Sequence, residues 1–283
     1  MLGSQPVSLS KENISLLIKE PYLVSWKADG TRFMLLIQRE SAYLTDRDFR
    51  IFHIPHLHFP RKGLHDLHSD TLIDGELVID RVDEKTVKPR FLMYDLVTLN
   101  GVAMPADYAK RLEILREEVF IPREMAKTQK KFDFSKEPFG IRCKDFYPLA
   151  KIQEVFQLLP KLPHENDGLI LAPNHQAYLP GRDNKLLKWK PPHLNTVDFR
   201  LDVEKVQKEH SPTEVVYRLL LAQGGDKVFG QLSFDTLNKE EVKKFRCSFA
   251  CLLFFINLVC IEHCSSLHFS SQGLEWQDHR VSV

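Results

Sequence analysis

The sequence predicts an α+β chain, with antiparallel sheets and flanking helices followed by a second, smaller all-β module. Three observations predict it. Short apolar runs such as YLVSWK, RFMLLIQ, TLIDGELVID and RFLMYDLVTL are separated by turn residues. Longer helical periodicity is confined to DYAKRLEILREEVF and PLAKIQEVFQLL. The two prolines of KPPHLN stop the first series of strands, and TVDFRLDV, EVVYRLLLAQ and VFGQLSF begin another.

Taken in order, SLSKENISLLIKE reads as a short helix capped by Ser8 or Ser10, with Ile14, Leu17 and Ile18 on one face. YLVSWK, RFMLLIQ and SAYLTDR follow as an antiparallel meander. HIPHLHFPRKGLHDLHSD is rich in Pro, Gly and His and reads as loop. TLIDGELVID and RFLMYDLVTL are two further strands. DYAKRLEILREEVF sets Tyr108, Leu112, Leu115 and Val119 at helical spacing, and PLAKIQEVFQLL is a second helix ended by Pro160. DGLILAP and KLLKWK return to strand. Beyond KPPHLN, Gly224-Gly225-Asp226 marks a hairpin between EVVYRLLLAQ and VFGQLSF. The chain therefore divides into residues 1–192, residues 193–245, and a tail, 246–283, with neither clear alternation nor charge patterning.

A formal charge of +1 leaves no bulk basicity, so any nucleic-acid site is a local patch. No basic segment followed by an apolar run opens the chain, and no secretion signal is expected. The main body holds only Cys143, which suits a reducing compartment and excludes a disulfide framework. The tail's apolar run, SFACLLFFINLVCI, is short of the ~20 residues of a bilayer span, so no membrane partner is expected.

The chemistry starts at Lys27. A lone strand-end lysine is ordinarily a solvated charge, but here the neighbours matter. Asp29-Gly30 predicts a turn with φ > 0 that doubles the chain back and presents Lys27 to a cleft. Arg32 falls on the return strand, near a bound anion, and Trp26 offers an apolar wall. A lysine, with an ordinary pKa of about 10.4, must lose its proton to act as a nucleophile, and burial or nearby cations assist that. Arg32, Lys188 and Lys190 are the candidate cations. LIDGELV places Asp74 and Glu76 on one strand face, and NDGLIL places Asp167 before Gly168 at a strand start. LLKWKPP puts Lys188 and Lys190 on one face and Trp189 on the other. A nucleophilic lysine, separated carboxylates for a divalent metal and paired lysines for phosphates are the parts of a nucleotidyl-transfer site.

In this order the motifs resemble the covalent nucleotidyltransferase superfamily of mRNA capping guanylyltransferases and ATP-dependent DNA and RNA ligases. The chain is most similar to the guanylyltransferase of animal-type capping enzymes. WKADGTR resembles the family's lysine motif, TDRD its second arginine site, and LIDGELVIDR its carboxylate strand. RFLMYDLV resembles the strand with the base-stacking aromatic, and DGLIL the metal-acidic motif. LLKWKPP followed by VDFRL resembles the last phosphate-binding motif and the lead-in to an oligonucleotide-binding (OB) domain; SQPVSL resembles the family's segment before the first helix. The similarity runs from about Gln5 to about Phe245.

The resemblance implies an ATP-grasp-like nucleotidyltransferase domain over 1–192 and a partial OB-fold over 193–245. It implies that Lys27 attacks the α-phosphorus of GTP, expels pyrophosphate, and passes GMP to the 5′-diphosphate end of nascent RNA. Lys188 and Lys190 would hold phosphates, with Trp189 between them in the motif. Asp167 would bind Mg²⁺ or Mn²⁺; Glu76 would bond the ribose or help with the metal. Arg32 and Arg47 would contact ribose and phosphate, although an ion pair with Asp46 or Asp48 explains Arg47 equally well. Tyr94 would stack on guanine, or is a core aromatic. Asp74-Gly75 in the nucleotide-binding strand shapes its turn-like start. The implied partners are the RNA, the phosphorylated tail of RNA polymerase II, and an RNA triphosphatase on another chain or a missing segment. The implied location is the nucleus.

Other features carry less. His53, His56, His58, His65 and His68 fit no metal-ligand spacing and read as loop residues. Gly224-Gly225-Asp226-Lys227 lacks the GxxxxGK spacing of a P-loop, and EHCSSLHFS lacks the later Gly and Arg of a cysteine-phosphatase loop. The family's last motif, a basic stretch with Arg and Asp-Lys that engages pyrophosphate, has no counterpart beyond Phe245. Cys247, Cys251, Cys260 and Cys264 have the wrong spacing and surroundings for structural zinc. The tail reads as a replaced C-terminus, from an alternative exon, retained intron or frameshift. Besides active transfer, the alternatives are a chain that binds GTP but is catalytically impaired, a non-catalytic adaptor for RNA or the polymerase tail, and an ATP-dependent ligase.

Overall fold

The computed structural model describes residues 3–194, 199–206, 214–221 and 228–232. The chain divides into two compact units, Met1–Lys190 and Pro191–Val283.

The first unit holds twelve strands: β1 (Ser4–Ser8), β2 (Tyr22–Ala28), β3 (Thr31–Gln38), β4 (Ser41–Thr45), β5 (Ile51–Ile54), β6 (Thr71–Arg81), β7 (Val87–Leu99), β8 (Val102–Ala103), β9 (Gly140–Cys143), β10 (Tyr147–Pro148), β11 (Asn166–Pro173) and β12 (Gly181–Trp189). They form a five-stranded sheet, β1-β12-β11-β2-β10, and a seven-stranded sheet, β5-β4-β3-β6-β7-β8 with β9 beside β7. The sheets are mixed: β1 runs parallel to β12 and β9 parallel to β7, against the all-antiparallel expectation.

The expected meander is corrected at its first turn. β3 and β4 do pair antiparallel, but β2 belongs to the other sheet. Asp29-Gly30 therefore carries the chain from one sheet to the next, and Gly30 does not have a positive φ. Glycine is needed there for space, because a Cβ would lie 2.5 Å from the Leu77 carbonyl oxygen.

The first helix is also smaller than its sequence suggests. Ser4–Ser8 is strand, and α1 is the single turn Leu16–Lys19. Ile14 and Ile18 are exposed, whereas Leu16 and Leu17 pack inward. α2 (Tyr108–Ile114) is capped by Asp107, whose side chain accepts from the Lys110 N–H. A π-helical turn, Leu115–Phe120, leads into α3 (Ile121–Thr128), where Pro122 is tolerated in the first turn. The expected stripe holds, with Tyr108, Leu115 and Val119 buried. α4 (Ile152–Leu158) continues into a 3₁₀ turn that contains Pro160.

Two apolar clusters back the sheets. Leu35, Ile37, Phe59, Phe91, Met93, Leu115 and Val119 join the seven-stranded sheet to the α2 side. Tyr22, Val24, Leu169, Leu171, Leu187 and Val155 join the five-stranded sheet to α4. A third cluster, Trp26 and Ala28 from β2 with Val78 and Leu92 from β6 and β7, seals one sheet to the other. Each large side chain in it contributes about 1.5–3 kcal/mol by leaving water. The histidine-rich segment is only partly loop: His53 lies in β5, and buried His68 bonds Asn100 Oδ1 and the Glu118 carbonyl.

In the second unit, β13 (Phe199–Val206), β14 (Glu214–Leu221) and β15 (Val228–Leu232) form an antiparallel sheet. The Gly224-Gly225-Asp226 turn and the tail 246–283 lie outside the described residues.

Candidate active site

Three neighbouring strands assemble the cationic centre. Lys27 on β2 pairs across β11 in register with Gly168, and Ile170 on β11 faces Lys188 on β12. The β2–β11 register slips between Asn166 and Gly168, leaving Asp167 as the bulged residue. Gly168 makes this possible: its φ is +145°, and a Cβ would overlap the Trp189 carbonyl oxygen and approach the Lys190 Cα to 3.0 Å. The bulge aims the Asp167 carboxylate at both flanking strands. Its Oδ1 lies 2.7 Å from Lys27 Nζ and its Oδ2 lies 2.8 Å from Lys190 Nζ. Lys188 completes the group. Burial, with Lys190 and Lys27 close by, holds its ammonium below the usual lysine value.

The other sheet supplies the opposing wall. Arg32 on β3 clamps Asp74 on β6 with two donors, Nε to Oδ1 at 2.9 Å and Nη2 to Oδ2. Its Nη1 donates to the Ser4 carbonyl, and the Tyr178 hydroxyl donates to Asp74 Oδ2 at 2.6 Å. Arg32 thus has three donor contacts inside the protein and only part of its fork available to an anion. Asp74-Gly75 lies within β6 at a register slip against β7, which corrects the expected turn-like strand start. Gly75 is required by packing, since a Cβ would overlap the Phe91 ring and meet the Leu92 carbonyl at 2.7 Å. Burial pushes the Glu76 carboxyl up, while Lys144, Lys27 and Arg32 pull it back toward ionisation. Tyr94 is partly buried, with Arg32 Cζ 5.9 Å and Lys144 Nζ 5.7 Å from its ring centre.

Lys144 is the residue that motif reasoning missed. It follows β9, is 5% exposed, and sits over both Trp26 (5.6 Å) and Tyr94 (5.7 Å). Its ammonium is pushed down to about 8, chiefly by burial and against the pull of Glu76. The only sequence signal is a lysine directly after a short apolar strand, GIRC, and that signal is weak.

Two expected binding residues stand elsewhere. Trp189, partly buried, packs edge-to-face on Phe156 at 5.5 Å against the core beneath α4, on the strand face opposite Lys188 and Lys190. Arg47 is exposed in the turn after β4. The ion-pair alternative for it is also corrected, because Asp46 and Asp48 both pair with Arg50.

A mixed two-sheet domain in which a lysine, a bulged aspartate, a half-buried glutamate and paired lysines converge has the construction of a nucleotidyltransferase. Residues 1–192 match the family model for the mRNA capping enzyme catalytic domain, and the chain belongs to that family. It is 40% identical over 253 residues to an mRNA-capping enzyme of Danio rerio, covering 87% of this chain and 42% of that protein. It is 38% identical over 252 residues to the mRNA-capping enzyme of Caenorhabditis elegans, covering 87% and 40%. It is 36% identical over 220 residues to the mRNA-capping enzyme subunit alpha of Schizosaccharomyces pombe, covering 73% and 54%. The chain thus spans about two fifths of the length of these animal relatives.

Proposed function

We propose that the site is an mRNA guanylyltransferase centre, in which Lys27 takes GMP from GTP and the 5′-diphosphate end of RNA then receives it. The observation that carries this reading is Asp167, whose two carboxylate oxygens hold Lys27 and Lys190 together. The Lys27 nitrogen lone pair attacks the α-phosphorus, an N–P bond forms, and the bond to pyrophosphate breaks. Asp167, 2.7 Å from Nζ, is placed to take the proton that Lys27 must lose. Lys188 and Lys190 neutralise phosphate charge from the adjoining strand, and Tyr94 offers its ring to the base.

Among the described residues, no group of three or more His, Cys, Asp or Glu forms a metal cage. Mg²⁺ commonly takes one or two carboxylates plus substrate phosphates, so Asp167 and Glu76 fit it. Mg²⁺ or Mn²⁺ held by these two carboxylates would offset charge on the phosphates when bound. On this reading the protein would work in the nucleus, with an RNA triphosphatase acting first and the phosphorylated polymerase tail as a further partner.

The test is incubation with α-labelled GTP and, separately, ATP, followed by a denaturing gel. The expected result is an acid-labile, base-stable adduct from GTP that disappears in Lys27→Ala. Label from ATP alone moves the site to the ligases, and an adduct that survives Lys27→Ala refutes the assignment.

A further inference from the structure

A buried relay lies directly behind Lys27. The Trp26 indole Nε1–H donates to His164 Nε2 at 3.0 Å, and His164 Nδ1 lies 2.9 Å from Asp80 Oδ1. The second Asp80 oxygen accepts from Arg90 Nε. Trp26, His164 and Asp80 are each no more than 5% exposed. The backbone on either side of His164 is tied to the end of β6 and to the β2–β3 connection: Arg81 N–H donates to the Pro163 carbonyl (2.7 Å), and Asp29 N–H to the Glu165 carbonyl (2.9 Å).

These contacts fix the imidazole's state. An indole nitrogen can only donate, so His164 Nε2 must carry a lone pair and its single proton must sit on Nδ1, facing Asp80. A second proton would set two N–H donors against each other across 3.0 Å. The charged groups around His164 are Asp80 from β6, Arg90 beyond it on β7, Arg142 from β9, and Lys144. Burial, helped by Lys144 and Arg142, keeps the imidazole below its ordinary 6.5, against the pull of Asp80. The indole is the relay's outlet. Trp26 immediately precedes Lys27 on β2, and its ring carries Lys144 Nζ at 5.6 Å.

We propose that His164, held by Asp80, is a positioning residue of the nucleotide site: as a neutral acceptor it fixes the Trp26 indole, and through it the placement of Lys27 and Lys144. Protonation of the imidazole releases Trp26 and lowers adduct formation. The inference rests on the transferase reading given above.

The test uses the full chain as wild type, His164→Gln, His164→Asn and Trp26→Phe. Single-turnover adduct formation from α-labelled GTP is followed over GTP concentration and from about pH 5.5 to 8.5, bracketing histidine titration. Glutamine sets an oxygen near the Nε2 position and still reaches the indole; asparagine is too short to do so. The expected result is a maximal rate about 10- to 100-fold lower in His164→Asn, at little change in half-saturating GTP, the size expected of a displaced reacting group. His164→Gln keeps the rate within about 5-fold, a rescue expected if the hydrogen bond to Trp26 is what matters. It also loses the acid limb that wild type shows below the ordinary histidine value. Tryptophan fluorescence of wild type changes over the same acid limb, and that of His164→Gln and Trp26→Phe does not. Thermal melts accompany every variant. Rates in both His164 variants that match wild type at all pH values overturn the proposal, and so do losses that only track the unfolded fraction. A wild type that forms no adduct at any pH overturns the transferase reading instead.

Discussion

Lys144→Met separates stability from function at this site. The Lys144 ammonium is nearly inaccessible to water and is pushed down to about 8, whereas the unfolded chain keeps the ordinary 10.5. At about 1.4 kcal/mol per pH unit, holding it charged in the folded state costs about 3 kcal/mol. The sign follows from the direction of the shift. Because the folded value is depressed, the cost is complete below about pH 8, fades as pH rises from 8 toward 10.5, and is absent above that. Methionine keeps the length and removes the charge, but it also deprives the half-buried Glu76 of its strongest cationic neighbour, which returns part of the gain. A net gain of about 1–2 kcal/mol remains, or about 2–8 °C in Tm for a unit of this size. Adduct formation should fall about 10- to 100-fold, because a cation facing the site has been lost. Thermal melts at pH 7 and pH 10, paired with single-turnover labelling, measure both effects. A Lys144→Met protein that melts below wild type at pH 7 refutes the reasoning. A stability gain that grows toward pH 10 refutes it too.

Gly168→Ala should lose about 3 kcal/mol or more, since it adds strain at φ +145° and an overlap with the Trp189 backbone; a melting temperature within a degree or two of wild type would show that the bulge relaxes freely. Trp189→Ala should cost about 2–3 kcal/mol, below the range of a fully buried ring, through the space left against Phe156, while Trp189→Phe costs less and labels normally. A Trp189→Phe protein that folds as wild type but loses labelling more than about 10-fold, the size of a lost direct contact, would return Trp189 to the nucleotide.

The cationic centre was legible because its pieces are short and strand-borne. Period-two alternation puts Lys188 and Lys190 together and Trp189 opposite, and the structure agrees on all three. Asp167-Gly168 was legible as a pair at a strand start, since β11 begins at Asn166; the bulge that displaces Asp167 there was not. What failed was anything decided across the fold. Asp29-Gly30 satisfies the rules of a hairpin turn, yet β2 pairs with β11 and β3 with β6, partners that lie far along the chain. Tyr94 could be assigned neither to a stack nor to a core from its strand alone, and the structure leaves it partly buried with Arg32 Cζ and Lys144 Nζ 5.9 and 5.7 Å from its ring centre. Lys144 and His164 belong to no repeat or motif; only the packing of β9 and the 163–165 segment against β2 gives them a role.

The resting arrangement also explains why the acidic and basic motifs must come from separate strands. If Asp167 lay in regular register, its carboxylate would serve one neighbouring strand; the bulge lets it bridge both, 140 residues from Lys27 and 23 from Lys190. The bridge holds the Lys27 side chain in place on β2. In the proposed reaction an incoming triphosphate would compete with Asp167 for Lys190, and a carboxylate relieved of that pairing would be free to take the Lys27 proton. On the proposed reaction, the contact that orders Lys27 at rest would become its base when substrate arrives, and loss of Lys190 should then slow the covalent step even where GTP is saturating.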